Sequence, residues 1–282
     1  MTARIDAHQH FWRFDPLQHS WITESMSVLR RDFEPNELDR ELTTHGFDAC
    51  IAVQAAQTDD ETRYLLDLAA DNDFIRGVVG WVDLRRVDVP TLLARYAQEP
   101  KLVGFRHIVQ DEVDDDFLLR TDFCRGIEAL GSERFSYDIL IYPRQLRAAT
   151  TFVRRFPEHR FVLDHAAKPP LAAQRPLLHD MWAEGLRELA AAAPNLRCKV
   201  SGLVTEAQWH AWSFDDFARA LAVIEECFGR RRLLYGSDWP VCLLAAESYG
   251  QVVAIVDEWT RTWSLEEREG FFGSNALDFY SL

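Results

Sequence analysis

Near the start of the chain, Ile5-Asp6-Ala7-His8-Gln9-His10 sets two histidines one residue apart at the end of a short apolar run. On a β-strand, side chains at i and i+2 share a face, so His8 and His10 stand side by side. Two imidazoles held that way can share a metal, bind an oxyanion or polarise a carbonyl. A surface pair, or a buried pair satisfied by backbone, is the plainer alternative. Two later stretches favour chemistry. His165 stands in Leu-Asp-His-Ala-Ala-Lys-Pro and Asp238 in Gly-Ser-Asp-Trp-Pro. A carboxylate that meets imidazoles can take a proton from water and return it later, provided its basicity is suitable. Burial would raise its pKa and nearby cations would lower it.

For these residues to meet, the chain must bring its beginning, middle and end together. Short β-prone runs recur at 5–10, 50–54, 75–82, 102–106, 137–141, 161–165, 196–201 and 233–236. A segment with helical spacing follows each one. Asn36–His45 ends at the stop signal Gly46. Asp59–Asp71 has Thr58 as a cap and Glu61 at the capping-box position. Further helices are expected over 90–98, 117–130, 144–155, 177–193, 214–227, 249–262 and 265–275. Strict β/α alternation predicts an α/β fold with a parallel sheet. Eight units in 282 residues suit a single (β/α)8 TIM-type barrel, with a doubly wound open sheet as the alternative. No linker or composition break divides the chain, so 1–282 reads as one domain.

In such a barrel, residues at the C-terminal strand ends converge on one site. Those ends carry His8 and His10, Arg106 and His107, Tyr142, His165 with Lys168 beyond it, Lys199 and Ser201, and Asp238 with Trp239. His107 reads as packing. Lys199 reads equally as a group paired inside the barrel. The aromatic-rich stretch 11–33, with Trp12 and Trp21, is too long for a plain connector and is expected over the mouth of a site.

Composition narrows the partners. The net charge of -14, from 31 basic and 45 acidic residues, opposes binding to nucleic acid or an anionic membrane. The acidic run 111–116 reads as a solvated loop. The 5 cysteines are scattered, with no Cys-x-x-Cys, which points to reduced thiols in the cytoplasm. No leader-like segment or membrane-length apolar run is evident. Oligomeric state has no signature here.

Taken together, His8-x-His10, His165 and Asp238 resemble the amidohydrolase superfamily. Asp-Ala-His-Gln-His-Phe-Trp, Leu-Asp-His-Ala-Ala-Lys-Pro, Lys-Val-Ser-Gly and Tyr-Gly-Ser-Asp-Trp-Pro resemble its sugar-lactonase branch. That branch includes L-fuconolactonases and L-rhamnonolactonases, with 2-pyrone-4,6-dicarboxylate lactonases as kin. The resemblance covers essentially the whole chain and implies hydrolysis of a sugar-acid lactone, a small-molecule substrate. Asp238 would be the base for water and then the acid for the leaving alkoxide. His165, His8 and His10, or a metal they hold, would polarise the carbonyl. Arg106 suits a sugar hydroxyl or the carbonyl oxygen. Lys168, Tyr142 and Gln54 would read hydroxyls, and Trp12, Trp21 and Trp239 would offer an apolar face.

Departures from the wider superfamily bear on the metal. Arg106-His107 replaces a bridging lysine at the fourth strand, and Tyr142 replaces a histidine at the fifth. His8, His10, His165 and Asp238 could then hold at most one divalent ion, with zinc the best match. The lactonase branch also has members that work without metal. Two other activities compete: a metal-dependent amide hydrolase or decarboxylase on the same barrel, and a non-catalytic sugar-binding barrel.

Overall fold

The computed structural model describes residues 2–172 and 176–282. Eight parallel strands pair in sequence order, β1 to β8. They are β1 Ile5–Gln9, β2 Ala49–Val53, β3 Ile75–Gly80, β4 Leu102–His107, β5 Ser136–Ile139, β6 Phe161–Leu163, β7 Arg197–Val200 and β8 Leu233–Tyr235. A parallel bridge between Gln9 and Trp239 brings the end of β1 to the loop after β8. The His10 N–H donates to Trp239 O at 2.7 Å. The sheet thus closes into the expected (β/α)8 barrel. Among the described residues, no helix is long and apolar enough to cross a membrane.

The outer ring contains α1 Pro35–Thr44, α2 Glu61–Asp71, α3 Val89–Tyr96, α4 Thr121–Gly131, α5 Leu146–Arg155 and α6 Pro176–Ala192. It continues with the short α7 Leu203–Glu206, then α8 Phe214–Phe228, α9 Tyr249–Trp259 and α10 Leu265–Glu269. The closing helix, α11 Asn275–Tyr280, follows a π-helical turn over Gly270–Ser274. Its Phe279 and Tyr280 pack inside the ring with Ile5, Ala49, Ile51, Val103 and Leu234. Burying each of these apolar side chains contributes roughly 1.5–3 kcal/mol. They cap the end of the barrel where the strands begin, so the other end is left for a cavity.

Several local expectations need correction. Thr58 makes no side-chain cap, and the N-cap position of α2 is Asp60. Glu61 instead accepts from the N–H groups of Ala55 and Ala56 at 2.6 and 3.2 Å. The loop after β2 leaves those donors unpaired by any strand, and the buried carboxylate satisfies them. The segment 265–275 is divided between α10, the π turn and α11. Within 11–33, a 3₁₀ turn spans Glu24–Leu29, and Trp12 exchanges backbone hydrogen bonds with Phe33.

Candidate active site

His8 in β1 and His10 just beyond it reach the interior because the strand carries one extra residue. Asp6 pairs with Cys50, but Gln9 pairs with Ala52. Such a bulge resets the alternation of side chains. Ile5 and Ala7 face inward, Asp6 faces outward to Tyr249 of α9, and beyond the bulge His8 and His10 face inward again. Asp6 holds the join by accepting from the backbone N–H groups of His8 and Ser237.

His165 is placed by a different device. From His165 to Lys168 the backbone is left-handed, with φ of 53, 47, 56 and 55°. This tight turn points both His165 and Lys168 into the same cavity. Two glycines make room. A Cβ on Gly202 would lie 2.5 Å from His165 Nδ1, and one on Gly236 would lie 2.5 Å from the Cβ of His8. Neither approach tolerates a side chain.

Asp238 is the meeting point. Its Oδ1 lies 3.3 Å from His10 Nε2, 3.7 Å from His8 Nε2 and 3.9 Å from His165 Nε2. The ring of His8 sits 5.0 Å from that of His10 and 4.5 Å from that of His165. His10 Nδ1 lies 2.8 Å from Val53 O. A carbonyl only accepts, so Nδ1 carries the hydrogen and Nε2 turns toward the carboxylate. An imidazole lone pair facing a carboxylate oxygen is held best by a proton or a cation between them. His165 Nδ1 pairs with Ser201 Oγ at 2.9 Å. A hydroxyl can donate or accept, so Nε2 can carry either a hydrogen for an oxyanion or a lone pair for a metal.

Beneath this floor lies a buried ionic cluster. Lys199, fully buried, reaches Asp138 at 2.5 Å, Asp164 at 3.2 Å and His8 Nδ1 at 3.2 Å. Tyr280 of α11 donates to Asp138 at 3.0 Å. Arg106 bonds Asp164 at 3.1 Å and the Gln54 side chain at 2.7 Å, and lies 3.2 Å from His8 Nε2. Burial holds His8 well below the ordinary histidine range and His165 down at about 4. Burial pushes Asp238 up, but the facing His165, His10 and His8 outweigh it, and the carboxyl stays well below its usual range. Asp238 is therefore ionised at neutral pH.

Above the floor opens a cavity of about 410 Å³, within the size range of small-molecule sites. Its lining includes Asp238, His10, His165, Arg106, Lys168 and Tyr142. Trp21 and Met26 line it as well, so the aromatic loop does border the cavity. Three residues expected to touch substrate are placed elsewhere. Gln54 is fully buried behind Arg106, which it orients through its side-chain oxygen. Trp239 packs behind the strand ends against Phe11 and Phe33. Trp12 likewise is buried against Phe33. His107 stacks on Phe117, with ring centroids 4.7 Å apart. Sequence reasoning missed Glu206 and Trp209, which also line the cavity. Glu206 ends α7 and pairs with Lys168 at 3.0 Å. Four helical residues between a strand and a longer helix give no periodic signal.

His8, His165 and Asp238 bring one ligand atom each within 4.8 Å of one another. Tetrahedral ligands about 2.1 Å from an ion lie about 3.4 Å apart, so this set, with His10 beside it, suits one divalent cation. The Arg106 guanidinium, against His8, takes the charge and space that a second ion would need.

The chain is similar along its whole length to known proteins. L-fucono-1,5-lactonase of Burkholderia multivorans is 43% identical over 100% of this chain and 97% of its own length. L-fucono-1,5-lactonase of Burkholderia ambifaria is 40% identical with the same coverage. A crystal structure of an amidohydrolase from Burkholderia multivorans with bound zinc superposes with a TM-score of 0.93, at 43% identity and 99% coverage of both chains. The amidohydrolase family model matches residues 5–282. From strand-end chemistry to whole-length similarity, the chain belongs to the amidohydrolase family.

Proposed function

We propose that this protein hydrolyses the lactone of a six-carbon sugar acid, of the L-fucono-1,5-lactone type, to the open acid. The observation that carries this reading is Asp238, ionised and ringed by three imidazoles on the floor of a cavity whose walls combine hydroxyl-binding groups with apolar surface. The similarity to two L-fucono-1,5-lactonases along the whole chain supports it. Met26, Val241 and Leu244 also line the cavity and supply part of that apolar surface.

The reaction adds water to a carbonyl and breaks the ring ester bond. Asp238 accepts a proton from the attacking water. Charge then develops on the former carbonyl oxygen, within reach of His165 and the Arg106 cation. Collapse of the tetrahedral species expels the ring oxygen, and Asp238 returns the proton to it. A positioned acid–base group contributes about 10²–10⁴-fold, and one oxyanion donor contributes about 3 kcal/mol. One divalent ion, zinc by its ligand preference, would be held by His8, His165 and Asp238 with His10 beside them. When bound it supplies Lewis-acid polarisation. The five free cysteines support a cytoplasmic setting.

A panel of sugar lactones followed by pH-stat acid release, with and without prior chelation, tests the proposal. Rapid hydrolysis of L-fucono-lactone is expected. No turnover of any lactone, with sugar acids still bound, would instead make the barrel a binding protein. Activity that disappears on chelation and returns with zinc would make the ion obligatory.

A further inference from the structure

The charges around the cavity have an arrangement of their own. Two permanent cations line it, Arg106 and Lys168. Arg106 is tied to Asp164, and Lys168 to Glu206. Among the described residues, the lining therefore offers no lysine or arginine without an acidic partner. Three carboxylates, Asp111, Glu206 and Asp238, line the same space. Both members of the Lys168–Glu206 pair retain some exposure, 14% and 19%, so both present atoms to a ligand. The Lys168 ammonium also lies 5.5 Å from the Tyr142 ring centroid, which holds the pair against one wall.

We infer that Glu206 is a specificity residue that restricts the site to lactones with no carboxylate on the rest of the sugar, by occupying Lys168 and by accepting sugar hydroxyls itself. This rests on the lactonase reading above. A neutral polyol meets a matched donor and acceptor: Lys168 donates three hydrogens and Glu206 accepts. A lactone carrying a free carboxylate meets an acidic rim and a lysine already engaged. It must either face Glu206 at close range or displace it, and like charges brought together are a direct means of rejection. Removing the charge on Glu206 inverts this logic. Lys168 then becomes an uncompensated, partly desolvated cation, and a substrate carboxylate is its best partner.

The test compares L-fucono-lactone with galactaro-lactone, which carries a carboxylate where the former carries a methyl group. For the wild type, kcat/KM is expected to be at least 100-fold higher on fucono-lactone. In Glu206→Gln, which keeps size and loses charge, the ratio of galactaro- to fucono-lactone should rise at least 30-fold, chiefly through KM. Glu206→Asp should return most of the preference, and Glu206→Gln with Lys168→Met should lose the gain. Calorimetric binding of galactarate and L-fuconate reads the same preference without turnover. Glu206→Gln should tighten galactarate relative to L-fuconate at least tenfold. Absence of all lactone turnover would refute the hydrolase reading, while the binding ratio would still decide the role of Glu206. Ratios in Glu206→Gln within threefold of wild type, or a gain that survives loss of Lys168, would overturn the inference.

Discussion

Asp238→Asn isolates proton transfer from everything else that Asp238 does. Asparagine has nearly the same shape, and the backbone N–H of residue 238 still donates to His8 O at 2.8 Å. The amide cannot take a proton from water or return one to the alkoxide. A general acid–base group is worth about 10²–10⁴ in rate, or about 3–5 kcal/mol of barrier. With the cavity walls, Arg106 and His165 unchanged, the loss should fall on kcat and leave KM within about threefold. The facing groups favour the ionised carboxylate in the fold, so the neutral amide should lower stability by about 1–3 kcal/mol. For a chain of this size that is a drop of roughly 3–10 °C in melting temperature, and turnover is compared well below both melts. The assay is pH-stat hydrolysis of L-fucono-lactone beside a thermal melt. A folded variant whose kcat stays within tenfold of wild type would refute the role of Asp238 as base.

The buried cluster predicts that Lys199→Met destabilises the fold by about 3–5 kcal/mol, because interior Asp138 loses its cation and Asp164 keeps only Arg106. Adding Asp138→Asn should restore at least ~1 kcal/mol in urea titrations, and no restoration would argue against the pair. Gly202→Ala should cut kcat at least ~10-fold, since the new Cβ would displace the ring of His165 and even 1 Å of misplacement is costly; turnover equal to wild type would contradict the packing. Burial and the neighbouring Arg160 hold His159 down at about 4, against ~6.5 unfolded. The unfolded chain therefore binds the proton first as pH falls, and stability is lost from pH 6.5 toward 4, by about 2 kcal/mol at pH 5. His159→Gln should remove that share of the slope in denaturant midpoints at pH 7 and 5, and an unchanged slope would show that His159 does not titrate this way.

Much of this architecture can be read directly from the residues. Short apolar runs set between helical patterns located all eight strands within a few positions, because a fully buried parallel sheet demands such runs. His10, His165, Arg106 and Asp238 line one cavity, with His8 at its floor, because each stands at a strand end and the ring brings those ends together. What escaped notice depends on tertiary context. Gln54 looks like a hydroxyl reader, yet it lies one layer too deep and acts on Arg106. Trp239 looks like a sugar platform, but the inward turn of Asp238 sends its neighbour outward onto Phe11 and Phe33. Glu206 belongs to a helix too short for periodicity. The bulge in β1 is invisible because its effect, an extra residue that restores the inward side, appears only when the partner strand is counted alongside.

The left-handed turn at 165–168 ties the reaction centre to the outside of the barrel. L-residues resist that conformation by roughly 1–2 kcal/mol apiece, and none of these four is glycine, asparagine or aspartate, being histidine, two alanines and lysine. The turn is anchored from α6, where Trp182 Nε1 donates to Ala166 O at 2.8 Å. The histidine is thus kept in place under tension, with its tether fastened on the outer ring. Sequence drift in that helix is consequently not silent: a loosened tether lets the spring relax, and the penalty appears as slower chemistry before it appears as unfolding.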